Sequence, residues 1–242
     1  MKFHRMSAWP CLLLLAACSF ASAETQPVTQ ATLSFTGLSG SYTGSGNFTY
    51  DDDVQLINFS LSQNASVNLF TTSWASSTVN GFAPVLSLFS FNADPALSQL
   101  LAFDAGGVGP SACGARGVDS VLGLCLDAYI SIFLPAGDYT LAVTQNDNLP
   151  SQQPGGGGTL ADGFTRVDPN NPNYNFTAAD CGQPTTSGFL TEGAGGCNPR
   201  TSAWELSIAA ENTPEPSPAL LTFSGIAVLS LVRRYRRRNV KV

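Results

Sequence analysis

The chain has 242 residues, with 17 acidic side chains against 11 basic ones and a formal net charge of −6. That balance hides a partition: eight of the basic residues lie in the two terminal segments, and residues 24–212 keep only Arg116, Arg166 and Arg200 against 16 acids, a net of −13 with no lysine. A surface of that sign repels phosphates and anionic headgroups, which excludes nucleic acid and direct membrane-surface binding and leaves neutral glycans, cations or cationic partners.

The first segment in chain order reads as a signal peptide over residues 1–23. Lys2 and Arg5 precede the apolar stretch Trp9 to Ala17, and Ala21-Ser22-Ala23 supplies small residues for signal peptidase, leaving Glu24 as the mature N-terminus. Leu15-Ala16-Ala17-Cys18 is a competing lipobox that would leave Cys18 lipidated; the well-formed Ala-x-Ala site favours the cut after Ala23. Residues 24–212 then form one domain, long enough for a substantial buried core.

Through that domain the hydrophobic period is two. Leu33 and Phe35 alternate, as do Val54 and Leu56 after Asp51-Asp52-Asp53, the pair Phe59 and Leu61, Val67 and Leu69, Ile130, Ile132 and Leu134, Tyr139, Leu141 and Val143, and finally Trp204, Leu206 and Ile208. Short strands separated by Asn, Gly, Pro and Asp clusters, with no long amphipathic helix, predict a mainly β chain folded as an antiparallel two-sheet β-sandwich. Leu134-Pro135-Ala136-Gly137-Asp138-Tyr139 reads as a tight hairpin corner, with Pro135 setting its φ and Gly137 free to take a positive one. From Leu149 to Gly196 the alternation breaks around four consecutive glycines, Gly155 to Gly158, and the segment reads as a long irregular loop.

Four cysteines fall in the domain. An even number in an exported chain points to disulfides, and four allow three pairings; near neighbours are favoured, Cys113 with Cys125 and Cys181 with Cys197, each closing a short loop in a Gly-rich stretch. Zinc is disfavoured because neither pair has Cys-x-x-Cys spacing. The sole histidine, His4, lies in the signal peptide, so the mature chain has no imidazole for a Ser-His or Cys-His pair. No Gly-x-Ser-x-Gly elbow, phosphate loop or dinucleotide fingerprint occurs, and the expectation is a non-enzymatic protein with no catalytic residue, cofactor or metal.

Two residual chemistries are weighed against bland readings. Carboxylates numerous enough to pair as in a glycosidase are more often a solvated surface. Asp51-Asp52-Asp53, Asp104, Asp127, and Asp147-Asn148 with Asp162 are oxygen-rich groups that could serve calcium; no EF-hand pattern occurs, and Asp and Asn favour turns through their own local hydrogen bonds. Asn-x-Ser/Thr at Asn47, Asn58, Asn64 and Asn175 reads as chance in a Ser-, Thr- and Asn-rich surface. Trp74 could stack on a sugar ring, and burial in the sandwich is the competing reading.

The order of segments resembles the bacterial pre-peptidase C-terminal domain over about residues 40–209. Its marks are Asp52-Asp53-Val54 before Phe59-Ser60-Leu61, the entry Gly81-Phe82-Ala83-Pro84-Val85-Leu86-Ser87-Leu88-Phe89, Leu134 to Leu141, Gln145-Asn146-Asp147-Asn148, Asp162-Gly163-Phe164, and Trp204-Glu205-Leu206. Ala83 stands where such domains commonly carry Asp, so any turn or ion role of that carboxylate is lost. The resemblance implies a jelly-roll-like sandwich in an extracellular accessory role and transfers no catalytic residue.

Residues 213–242 close the chain with three elements in order: Pro214-Glu215-Pro216 after Thr213, the apolar run Ala219 to Val232, and the cationic cluster Arg233, Arg234, Arg236, Arg237 and Arg238. The run is 14 residues, short of the roughly 20 that span a bilayer comfortably, so residues 217–232 read as a weak transmembrane helix held with the arginines on the cytoplasmic face. This tail resembles the sorting signal of the PEP-CTERM family. The resemblance implies recognition by exosortase, transient inner-membrane insertion, and display at the cell surface or beyond. The expected function is therefore a surface or extracellular-matrix protein associated with exopolysaccharide; the alternative is a calcium-dependent or aromatic-platform glycan-binding module.

Overall fold

A computed structural model describes residues 30–35, 39–74, 79–107, 109, 111, 113, 117–118, 123–152, 155–156, 158–167, 174–184, 189–191 and 197–212. The signal peptide and the sorting tail, including Pro214, Glu215, Pro216 and the arginine cluster, lie outside the described residues. Among those described, no helix is long and apolar enough to cross a membrane.

The chain is mainly β. Among the described residues eleven strands run in order: β1 Gln30–Phe35, β2 Ser39–Asn47, β3 Gln55–Leu61, β4 Ala65–Thr71, β5 Pro84–Ser90, β6 Leu100–Asp104, β7 Tyr129–Leu134, β8 Gly137–Gln145, β9 Leu190–Thr191, β10 Asn198–Pro199 and β11 Ala203–Asn212. The only α-helix among the described residues is α1, Phe176–Asp180. A five-stranded sheet in the order β1-β3-β8-β5-β6 faces a four-stranded sheet in the order β2-β11-β4-β7, and β9 pairs with β10 apart from both. Every neighbouring pair is antiparallel except β1 with β3, which is parallel, so the sandwich departs from the all-antiparallel expectation at that one edge.

Alternation decides what lies between the sheets. Ile57, Phe59 and Leu61 of β3, Val67 and Leu69 of β4, Ile130 and Leu134 of β7, Tyr139, Leu141 and Val143 of β8, and Trp204, Leu206 and Ile208 of β11 meet in one buried cluster. At the entry to β3 the apolar pattern changes face: Val54, just before the strand, and Leu56 belong to a second cluster on the outer side of the five-stranded sheet, with Phe89, Leu100, Ala142 and Phe164. Strand β5 is buried on both faces, which is why its sequence, Pro84 to Phe89, is nearly continuous in apolar residues.

The corner at Pro135 is tight, as its sequence predicts, yet it is not a hairpin. Strand β7 pairs with β4 in the four-stranded sheet, whereas β8 pairs with β3 and β5 in the other. Leu134 and Tyr139 are both buried against the shared core, so each strand is drawn to its own side of it. The Tyr139 hydroxyl ties the corner by donating to the Pro135 carbonyl at 2.7 Å. The link from β3 to β4 makes the same crossing, and the Ala136 N–H donates to Asn64 Oδ1 at 2.9 Å, joining the two corners.

Two strands escape the alternation rule. In β2, Ser-Gly-Ser-Tyr-Thr-Gly-Ser-Gly-Asn, the inward positions are glycine except for Tyr42, which packs against the core, so no apolar alternation shows. Gly46 has to be small, because a Cβ there would meet Trp204 Cζ2 at 2.8 Å. The indole supplies from β11 the bulk that β2 lacks. Strand β6 is short, lies at a sheet edge and slips register against β5 between Leu88 and Phe89, which blurs its pattern.

Candidate functional site

The cysteine pairing expected from spacing is present. Cys113 bonds Cys125 and Cys181 bonds Cys197, with Cα separations of 5.6 and 5.9 Å. The first closes the stretch between β6 and β7; the second ties the end of α1 to the start of β10.

The acidic triplet ahead of β3 is built into the fold. Asp51 and Asp52 are buried, and Asp53 closes its own turn, accepting from the Thr49 and Tyr50 N–H groups at 2.7 and 3.0 Å. Asp51 reaches 125 positions along the chain to the start of α1. Its Oδ1 accepts the Phe176 N–H at 2.6 Å, its Oδ2 accepts the Thr177 N–H at 2.9 Å and the Thr177 hydroxyl, and its own N–H donates to Asn175 Oδ1 at 3.0 Å. The first N–H groups of a helix have no partner within it, so a carboxylate from another part of the chain satisfies them here. Burial pushes the Asp51 carboxyl up from its ordinary range, and the hydrogen bonds from Thr177 and Phe176 work against that rise.

Asp52 sits beside it with less support. Oδ1 accepts the Tyr174 N–H at 3.2 Å, while Oδ2 is buried with no hydrogen-bond partner among the described residues. Burial raises its pKa to about 6, and the neighbouring charges of Asp53 and Asp51 push the same way. The Asp52 carbonyl accepts from Asn148 Nδ2 at 3.2 Å, and Asn148 Oδ1 accepts the Arg166 N–H at 3.0 Å. Arg166 pairs with Asp180 at 2.8 Å and lies 4.9 Å from the centroid of the Phe176 ring. These contacts form a buried lock that joins the β2–β3 turn, the end of β8 and α1.

The other oxygen-rich positions are occupied one by one. Asp104 Oδ2 accepts the Tyr129 N–H at 2.8 Å and the Gly106 N–H at 3.2 Å. Asp127 Oδ1 accepts the Thr71 hydroxyl at 3.0 Å and the Trp74 N–H at 3.1 Å. Asp162 caps its own turn through the Thr159 N–H at 2.7 Å and the Thr159 hydroxyl at 3.0 Å. Asp147 takes a positive φ of 72° and lies 3.9 Å from Arg166. Among the described residues, no group of three or more His, Cys, Asp or Glu is placed to hold a metal ion. The sequence presents these acids as one candidate set; the fold uses each where it stands, Asp162 in its own turn and Asp104 and Asp127 to tie distant strands and loops together.

Trp74 is buried, and the Arg200 guanidinium carbon lies 3.5 Å from the centroid of its ring, so the indole is covered by a cation. An aromatic surface exists elsewhere, on the outer face of the four-stranded sheet. Phe70 of β4 stands opposite Tyr129 of β7, Asn68 opposite Ser131, and Ser66 opposite Phe133. Phe133 is 55% exposed. The signal for these residues was in the alternation: with Ile130, Ile132 and Leu134 inward, positions 129, 131 and 133 have to point out.

No family model matches the chain, and no curated protein matches it. Among solved structures the chain is similar to the pre-peptidase C-terminal domain of collagenase from Bacillus anthracis, at a TM-score of 0.32 and 14% identity, covering 51% of this chain and 90% of that one. So loose a superposition adds nothing to the two-sheet architecture that the strands themselves display.

Proposed function

We propose that this chain is an exported, non-enzymatic surface or extracellular-matrix protein, handed to exosortase through its tail and associated with exopolysaccharide. The observation that supports it best is the pair of disulfides, Cys113–Cys125 and Cys181–Cys197, because such bonds persist in oxidising compartments outside the cytoplasm. The sequence adds the leader at residues 1–23 and the tail that resembles a PEP-CTERM signal. In this reading Pro214-Glu215-Pro216 is recognised on the outer face of the membrane while Arg233 to Arg238 hold orientation.

The test separates those two jobs. Replacing Pro214, Glu215 and Pro216 by alanine leaves an oriented but unprocessed precursor in the inner membrane, followed by immunoblot of the C-terminus in membrane and medium fractions of an exosortase-competent host. Processing and release like the wild type would make the Pro-Glu-Pro segment an incidental linker and sink the sorting assignment. The second reading, a glycan-binding module on an aromatic platform, is favoured by the outward-facing Phe133, which is exposed, together with Phe70 and Tyr129, which are half-buried on the same face; the platform is then this sheet face and not Trp74.

A further inference from the structure

We infer that the outer face of the four-stranded sheet is a binding surface for an extended neutral polysaccharide. The inference rests on the glycan-associated reading above and gives it a location. Strand register fixes the face in rows: Thr43, Ser207, Phe70 and Tyr129 lie side by side, then Ser41, Ala209, Asn68 and Ser131, then Glu211, Ser66 and Phe133. Most of these side chains are small hydroxyls and amides, which offer donors and acceptors over a broad, even surface.

Three aromatic rings stand at one side of that surface. Tyr129 donates its hydroxyl to Asn68 Oδ1 at 3.0 Å, which lays the ring across the sheet toward β4. Phe133 stands four residues further along β7, roughly 13 Å away at the rise of an extended strand. Aromatic faces flanked by hydroxyl and amide groups match the two sides of a sugar, whose ring presents C–H groups on its faces and hydroxyls at its rim. Of the three rings Phe133 is the exposed one, at 55%, and it stands on the edge strand β7.

Charge selects the class. Strands β2, β4, β7 and β11 contain no lysine or arginine, and Glu205 and Glu211 are their only ionised side chains. Glu205 already accepts the Thr72 hydroxyl at 3.0 Å. Within a domain of net −13, such a face repels polyanions, and two carboxylates are too few to make it a selective site for a polycation. A protein partner would need a broad apolar centre, whereas the rings here stand at one side of a face otherwise made mostly of serine, threonine and asparagine, and two of the three are half-buried.

The experiment uses the full chain, produced with its leader in an exporting host and purified in oxidised form. Retention is measured on insoluble cellulose and cross-linked dextran as neutral polymers, on chitosan as a polycation and on alginate beads as a polyanion, at low and high salt. The wild type is expected on at least one neutral polymer, with little dependence on salt. Phe133→Ser should weaken that retention about ten-fold, and Ser131→Glu, which sets a charge in the middle of the face, should do so as well. Phe91→Ser, an exposed phenylalanine outside this sheet, should bind like the wild type, and an unchanged melting temperature shows that each variant is folded.

The inference is overturned if no neutral polymer retains the wild type, if both face variants bind as well as it does, or if binding is confined to chitosan and lost in salt. It is equally overturned if sedimentation shows the chain pairing with itself through a contact that Phe133→Ser abolishes. Location is read separately in the same cells from the processed N-terminus and the fraction that holds the protein. A chain that binds the neutral polymer but is never exported would sink the surface-protein reading and leave the binding face standing.

Discussion

The two sheets of this sandwich turn very different outer faces to their surroundings. The five-stranded sheet is roofed: Phe164 and Leu160 from the segment after β8 pack on Val54, Leu56, Phe89, Leu100 and Ala142, and the Leu100 N–H donates to the Gly158 carbonyl at 2.8 Å. The four-stranded sheet carries no such roof among the described residues, and its outer positions are mostly serine, threonine and asparagine, with three aromatic residues, Ala209 and Glu211. The contrast teaches where the long Gly-rich segment acts. It supplies the second layer of burial that one sheet needs because its strands are apolar on both sides, whereas the other sheet needs none.

Four predictions test that contrast, the largest effect first. Phe164→Ala removes the ring that meets Phe89 edge-on at 6.4 Å and should cost about 4 kcal/mol in urea unfolding of the oxidised chain. A loss below about 1 kcal/mol would mean that the roof does not contribute to the core.

Replacing Cys181 and Cys197 by serine frees the far end of the same long segment. The closed loop has a sequence separation of 16, for which the chain-entropy model gives about 3 kcal/mol. The Asp51 contact to α1 and the stacking of Phe189 on Phe82 at 5.5 Å should still hold the segment in place. Stability should therefore fall while trypsin, acting at Arg166, cuts no faster under native conditions; rapid cutting there would show that the disulfide alone organises the region.

The Asp51–Asp52 lock at the start of α1 gives a pH dependence. The pKa of Asp52 rises from 3.8 to about 6 on folding, so the folded state holds its proton more tightly than the unfolded chain does. Its contribution is full below pH 4 and is lost as pH rises through 6; Asp51, also raised by burial, acts in the same sense. Asp52→Asn should flatten the decline between pH 4 and 7 and make the variant the more stable protein at pH 7. Parallel stability curves for variant and wild type across that window would refute the assignment.

The smallest effect belongs to the open face. Phe133→Ser exchanges a ring that is already 55% exposed and should change unfolding free energy by less than about 0.5 kcal/mol. A cost near that of Phe164→Ala would show that the face is covered after all.

Much of this architecture is legible in the residues. Alternation at Val67 and Leu69, Ile130 to Leu134, Tyr139 to Val143, and Trp204 to Ile208 marks strands that the fold contains, and cysteine spacing marks both disulfides. Strand β2 was silent because its inward positions are largely glycine and its bulk is lent by Trp204. The acidic triplet was visible as a cluster, but its use was hidden: Asp51 and the helix it caps lie 125 positions apart, beyond any local pattern. The aromatic face is readable in parity alone, whereas Trp74, the aromatic that the sequence offers as a sugar platform, lies under Arg200.

By itself the sequence determined the charge partition, the β character of the domain and the inward or outward direction of side chains along its regular strands, since all three depend on composition or on the two-residue repeat of a strand. Which sheet each strand joins, that the Pro135 corner crosses between sheets, that β1 runs parallel to β3 and that, among the described residues, one outer face is roofed and the other is not were decided only in three dimensions. Those features depend on pairings between residues far apart in the chain. A short-range repeat says which way a side chain points and cannot say what it will meet.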